Sequence, residues 1–236
     1  MKKTLLAFAL ATASFAAARA QAPAAAPAAT APAPAGYAEQ LGATIEAVLH
    51  TGNPAELGEL AAKLERAAAA NPTDWLAPYY QAYALLLAAR LSKAGLTAQD
   101  QLLDQGEAAL ARARQRKGDE SELQALQALA YQLRLSLDPM QRYEQYGDLV
   151  YQSAETAKTI NPANPRPYLI LANQVNYTPE MYGGGAAKAR PLYEAAKVKF
   201  EAFKPASALA PSWGQQQVLE RLKAYDAPAA SAARGK

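Results

Sequence analysis

Residues 161–196 read NPANPRPYLILANQVNYTPEMYGGGAAKARPLYEAA. Asn161-Pro162-Ala163-Asn164 is a helix stop followed by a cap, because proline cannot continue a helix and asparagine accepts from its free amides. The segment 165–177 then reads as one helix and 185–203 as the next. Between them a Tyr-Pro-Tyr loop ends in Gly183, Gly184 and Gly185. The stretch is helix, turn, helix.

The stop recurs on either side. Asn71-Pro72-Thr73-Asp74 and Gly118-Asp119 are its counterparts upstream, so helix starts fall at Asp74, Asp119 and Asn164, each 45 residues after the last. The inner turns keep phase as well, at Lys93-Ala94-Gly95, Asp138-Pro139 and Thr178–Gly185. A fixed period of this kind is the signature of hairpins whose apolar faces are covered by their neighbours. Breakers place helices at 37–50, 54–70, 74–92, 98–117, 119–137, 140–160, 165–177, 185–203 and 212–225. The intervening sequence is rich in Ala, Leu, Gln, Glu, Lys and Arg, with no sustained period-two alternation. The expected class is all-α: an α-solenoid of about four antiparallel hairpins plus a C-terminal capping helix.

The termini differ in kind from this body. Lys2 and Lys3, a short apolar run and Ala18-Arg19-Ala20 make residues 1–20 a signal peptide for export, without a lipoprotein cysteine. Residues 21–36 are an Ala/Pro linker, 37–225 the helical domain and 226–236 a tail without structure. Lys2, Lys3 and Arg19 would leave with the signal, so 24 basic residues become 21, equal to the 21 acidic ones. The remaining basic run, Arg112 to Lys117, lies at a helix C-terminus, where cations complement the dipole. Nucleic acid is therefore not an expected partner, and no later stretch is apolar over the length of a membrane span. The expected location is periplasmic or secreted.

At 161–196 the chain resembles a tetratricopeptide repeat. Asn161-Pro162 stands where that family closes a repeat, Tyr168 at its early aromatic position, and Leu171-Ala172 where it has Leu-Gly. Ala189, Tyr193 and Ala196 match its small–aromatic–small spacing in the second helix. Asn71-Pro72 with Tyr79, Ala82 and Leu86 is a weaker match, and Leu123, Leu126 and Ala130 weaker still. The departures are a period of 45 where the family has 34, and five surplus residues in the TPEMYGGG loop. The resemblance implies a scaffold that binds a protein or peptide on its concave face. It places Arg166, Leu169, Asn173, Asn176 and Tyr177 toward that groove, with Tyr182 on the adjoining loop.

No constellation calls for catalysis. The glycines lack the Gly-Lys-Ser/Thr ending of a phosphate loop, since Lys188 is flanked by alanines. They read as a turn, with anion binding by the following helix start left open. His50 is the single histidine, expected as a dipole partner at a helix end, and without cysteine it cannot build a zinc site. Carboxylate pairs such as Glu56/Glu59 sit on polar helix faces. No cofactor and no metal are expected, and the protein reads as non-enzymatic. The alternative to the peptide scaffold is an accessory protein, for example of a transport system, binding a small ligand with the 177–185 loop.

Overall fold

The computed structural model describes residues 33–227, and the signal-peptide, linker and tail expectations fall wholly or largely outside them. Among the described residues the regular structure is helical: α1 Tyr37–His50, α2 Pro54–Ala70, α3 Leu76–Leu91, α4 Leu96–Gln115, α5 Glu120–Leu137, α6 Pro139–Ile160, α7 Arg166–Tyr177, α8 Ala186–Ala202 and α9 Gln215–Asp226. A single 3-10 turn, Glu180–Tyr182, lies between α7 and α8.

The starts are made by the residues that mark them. Asn53 Oδ1 accepts from the Ala55 amide at 2.9 Å ahead of Pro54, and Asp119 Oδ1 accepts from Glu122 at 3.0 Å. The two Asn-Pro stops adopt one geometry. Asp74 and Asn164 each donate back to the carbonyl of the opening asparagine, at 3.2 and 3.0 Å. Their own Oδ1 atoms then accept from Leu76 and Arg166, at 2.8 and 3.0 Å. Each such acceptor satisfies an amide that the helix itself leaves free.

Consecutive helices pack on one another, and α1, α3, α5 and α7 also touch in series. Helices α1, α3, α5 and α7 thus form an inner row and α2, α4, α6 and α8 an outer one. Burial follows from this placement. On α3 nearly every residue from Ala77 to Ala89 is buried, whereas α4 buries only the stripe Leu103, Gly106, Ala109, Leu110 and Ala113. Between α4, α5 and α6 a charged cluster adds directional contacts. Arg134 bonds Asp104 at 2.5 Å and also Glu107, and Arg142 grips both oxygens of Asp100 at 2.7 and 2.6 Å. The Arg142 bond holds the Asp100 carboxyl below its ordinary range.

After α8 the chain does not turn straight into α9. Residues 203–214 run as an irregular strap along the inner row. Leu209 lies beside Gly42 of α1, close enough that an added Cβ there would sit 3.2 Å from it. Tyr80 of α3 donates to the Ala210 carbonyl at 3.1 Å, and Arg166 of α7 donates to the Pro211 carbonyl. Trp213 stacks on Tyr83 with centroids 5.0 Å apart, and its Nε1 donates to Tyr79 Oη at 2.8 Å. The strap therefore ties α7 and α8 back to α3 and α1. Then α9 returns along α8.

Candidate functional site

Where the strap ends, a cavity of about 1010 Å³ remains open on the inner face. Its floor comes from the inner helices: Tyr83, Leu87 and Leu91 of α3, Leu129 and Leu133 of α5, Leu169 and Ile170 of α7. One wall is the end of α1, with Leu49, His50 and Thr51, and the facing wall is α9, with Gln216, Gln217, Glu220 and Arg221. Trp213 closes the far end.

The closed end is held by a buried polar chain. Trp213 donates to Tyr79, Tyr79 donates to Glu122 Oε2 at 3.2 Å, and Arg166 Nη1 donates to Glu122 Oε1 at 2.7 Å. The Arg166 guanidinium lies between the rings of Phe203 and Trp213, 5.1 and 5.5 Å from their centroids. Burial pushes the Glu122 carboxyl up to about 7, against the opposing pull of Arg166. Burial likewise raises the phenols of Tyr79 and Tyr83, and that of Tyr80 to about 12. Tyr79 and Tyr80 are neutral donors, to Glu122 and to the Ala210 carbonyl.

A smaller crevice of about 400 Å³ adjoins the cavity and shares Gln132, Ser136 and Tyr177 with it. It lies between the α5–α6 turn, with Leu135, Pro139, Met140 and Tyr143, and the loop after α7, with Pro179 and Tyr182. Tyr177 stands between the two spaces. Its hydroxyl accepts from Arg221 at 2.6 Å, and the same guanidinium lies 5.5 Å from its ring centre.

The residues expected to line a groove are divided by the structure. Leu169, Asn173 and Tyr177 line the cavity, and Tyr182 lines only the crevice. Asn173 is occupied by the Tyr193 hydroxyl at 2.5 Å, and Asn176 by that of Tyr225 at 2.5 Å. The expectation for Arg166 needs correction: its side chain is 0% exposed and engaged with Glu122 and Pro211, so it presents nothing to an extended peptide. Gly183, Gly184 and Gly185 form a turn whose three amides are all used inside it, by the carbonyls of Glu180, Pro179 and Val175. His50 closes α1 with Nδ1 on the Glu46 carbonyl at 2.8 Å, and also stands at the cavity mouth. Trp213, Arg90 and the α9 face were not marked by sequence reasoning. The available signal was Pro211-Ser212-Trp213-Gly214, a large aromatic between a proline and a glycine; the helix expected at 212–225 took in Trp213, whereas α9 starts only at Gln215 and leaves it in the strap.

Among the described residues no cluster of three metal-ligating side chains occurs, and no helix is long and apolar enough to cross a membrane. Together the fold and the cavity define an all-helical protein with a deep, leucine-floored recess on its inner face. No protein-family profile matches the chain, the tetratricopeptide repeat included, and no curated protein matches it. A solved structure does: the HusA haemophore from Porphyromonas gingivalis, with TM-score 0.72 and 33% identity, over 84% of this chain and 97% of that one. The chain belongs to the family of that haemophore.

Proposed function

We propose that this chain is an exported, non-enzymatic carrier of a planar tetrapyrrole of the haem class, held in the concave cavity of an α-solenoid of tetratricopeptide-type hairpins. Export would be directed by residues 1–20, and 21–36 would tether the body. The observation that carries the reading is kinship with a haemophore along nearly that protein's whole length. The cavity, at about 1010 Å³, matches the upper end of the range for small-molecule sites, roughly 300–1,000 Å³. Its leucine floor offers apolar surface to a macrocycle, and the buried Tyr83–Trp213 stack closes one end. Arg90 and Arg221 line the same space without a carboxylate partner among the described residues, and suit acidic groups on the ligand's edge. His50 and Tyr177, which both line the space, carry donor atoms that haem iron accepts.

The peptide-scaffold reading has less support. An extended peptide would need the inner face that residues 203–214 already cover, and Arg166 and Asn176 are committed within the chain. Titration of the purified protein with haemin, followed by its absorbance, tests the proposal. Saturation of the tight phase at one ligand per chain is expected, with tight binding lost in Leu87→Glu while helicity is kept. Haemin binding that never saturates, or that Leu87→Glu leaves unchanged, would refute it.

A further inference from the structure

The crevice beside the cavity has a different character from it. Its large apolar side chains are presented to solvent: Met140 is 91% exposed, Tyr182 72% and Tyr143 57%. None of the three tyrosines around it, Tyr143, Tyr177 and Tyr182, stacks on another aromatic ring among the described residues. A contiguous exposed apolar surface of this kind is uncommon on a monomer and marks a place where something binds.

The surface is also built to hold its shape. Pro139 and Pro179 form rigid sides. The loop carrying Tyr182 is closed by hydrogen bonds from Tyr182 to Pro179 and from Gly185 to Val175, both 2.9 Å. At Gly184 an added Cβ would lie 2.0 Å from the Thr178 carbonyl oxygen, so only glycine lets the loop fold down against α7. Flat, preformed, apolar walls with unused ring faces suit a planar aromatic ligand. Continuity with the cavity through Gln132, Ser136 and Tyr177 identifies that ligand as the one the cavity holds.

We infer that the crevice is an outer binding site, where a planar tetrapyrrole first stacks against Tyr143 and Tyr182 before passing Tyr177 into the cavity. The inference rests on the proposed ligand class and adds a second site and a route. Tyr177 forms the partition, kept in place by Arg221. At about 400 Å³ and open to solvent, the crevice covers only part of a macrocycle, so it captures the ligand weakly and releases it readily.

Stopped-flow absorbance with haemin separates the possibilities. Tyr143→Ala/Tyr182→Ala removes the exposed rings without touching the core. It should slow filling of the cavity by about fivefold or more, the scale of two lost stacking contacts. Detailed balance then requires release from the cavity to slow by the same factor, leaving its Kd unchanged. Leu129→Glu, on the cavity floor, should keep the fast, weak outer phase and lose the slow, tight one. An unchanged association rate in the double variant would overturn the inference, as would faster release with a weakened Kd, which would place both tyrosines in the final site. A Leu129→Glu protein indistinguishable from wild type would instead sink the cavity reading and leave the crevice as the binding place.

Discussion

Replacing Trp213 by alanine tests whether the strap is part of the core or merely lies on it. The side chain is 4% exposed, stacked on Tyr83, bonded to Tyr79 and set against Arg166. Removing a buried tryptophan costs about 3–5 kcal/mol. Within that total the stacked pair accounts for roughly 0.5–1.5 kcal/mol and the Nε1 hydrogen bond for about 1 kcal/mol. Trp213→Phe keeps the stack and loses only the donor and some volume, so it should cost about 1–2 kcal/mol. Tyr79 keeps its bond to Glu122 in both variants, which limits the penalty for an orphaned hydroxyl. Urea unfolding followed by circular dichroism measures both values. A Trp213→Ala cost under about 1 kcal/mol, the range of an ordinary surface substitution, would refute the claim that the strap completes the core.

Three further outcomes are expected. Glu122 has its folded pKa raised from 4.5 to about 7, so its stabilising contribution is full below 4.5 and is lost as pH rises through 7. Wild-type stability should therefore decline relative to Glu122→Gln over that interval, by at most on the order of 3 kcal/mol, and parallel pH profiles would exclude the effect. Gly184→Ala should loosen the Thr178–Gly185 loop, because the Thr178 carbonyl occupies the added methyl's place; faster amide exchange at Tyr182–Gly185 is the measure. His50→Ala should change stability by at most about 1 kcal/mol, since the ring is exposed at a helix end. If His50 ligates iron, the same variant alters the haemin spectrum while leaving affinity for metal-free porphyrin intact.

The hairpin architecture was legible because its punctuation is local. Asn71-Pro72, Asp119 and Asn161-Pro162 act on amides two or three residues away, and the structure uses them so. The glycine turn was readable for the same reason. The site was not, because its parts meet only in three dimensions. Tyr79 and Trp213 are 134 residues apart, Tyr80 and Ala210 130, and nothing in either neighbourhood announces the other. Arg166 shows the limit of transferring a repeat's outward positions. Its placement depends on Glu122, 44 residues earlier, and on the strap carbonyl of Pro211, 45 residues later. Tyr177 lines the cavity together with Leu169 and Asn173, eight and four residues before it on the same helical face.

The strap has a consequence for the order in which the molecule can fold. A plain stack of hairpins assembles from one end, each unit resting on the one before. Here Tyr80 of α3 finds its acceptor, and Tyr79 its donor from Trp213, only with residues 210–213. An N-terminal fragment thus exposes the apolar inner face that the strap covers, and its helices remain unlatched. Long-separated contacts are formed late and slowly, because the intervening chain must be closed first. The segment that latches the first hairpins is thus among the last to be made, and the inner face stays uncovered until residues 210–213 are in place.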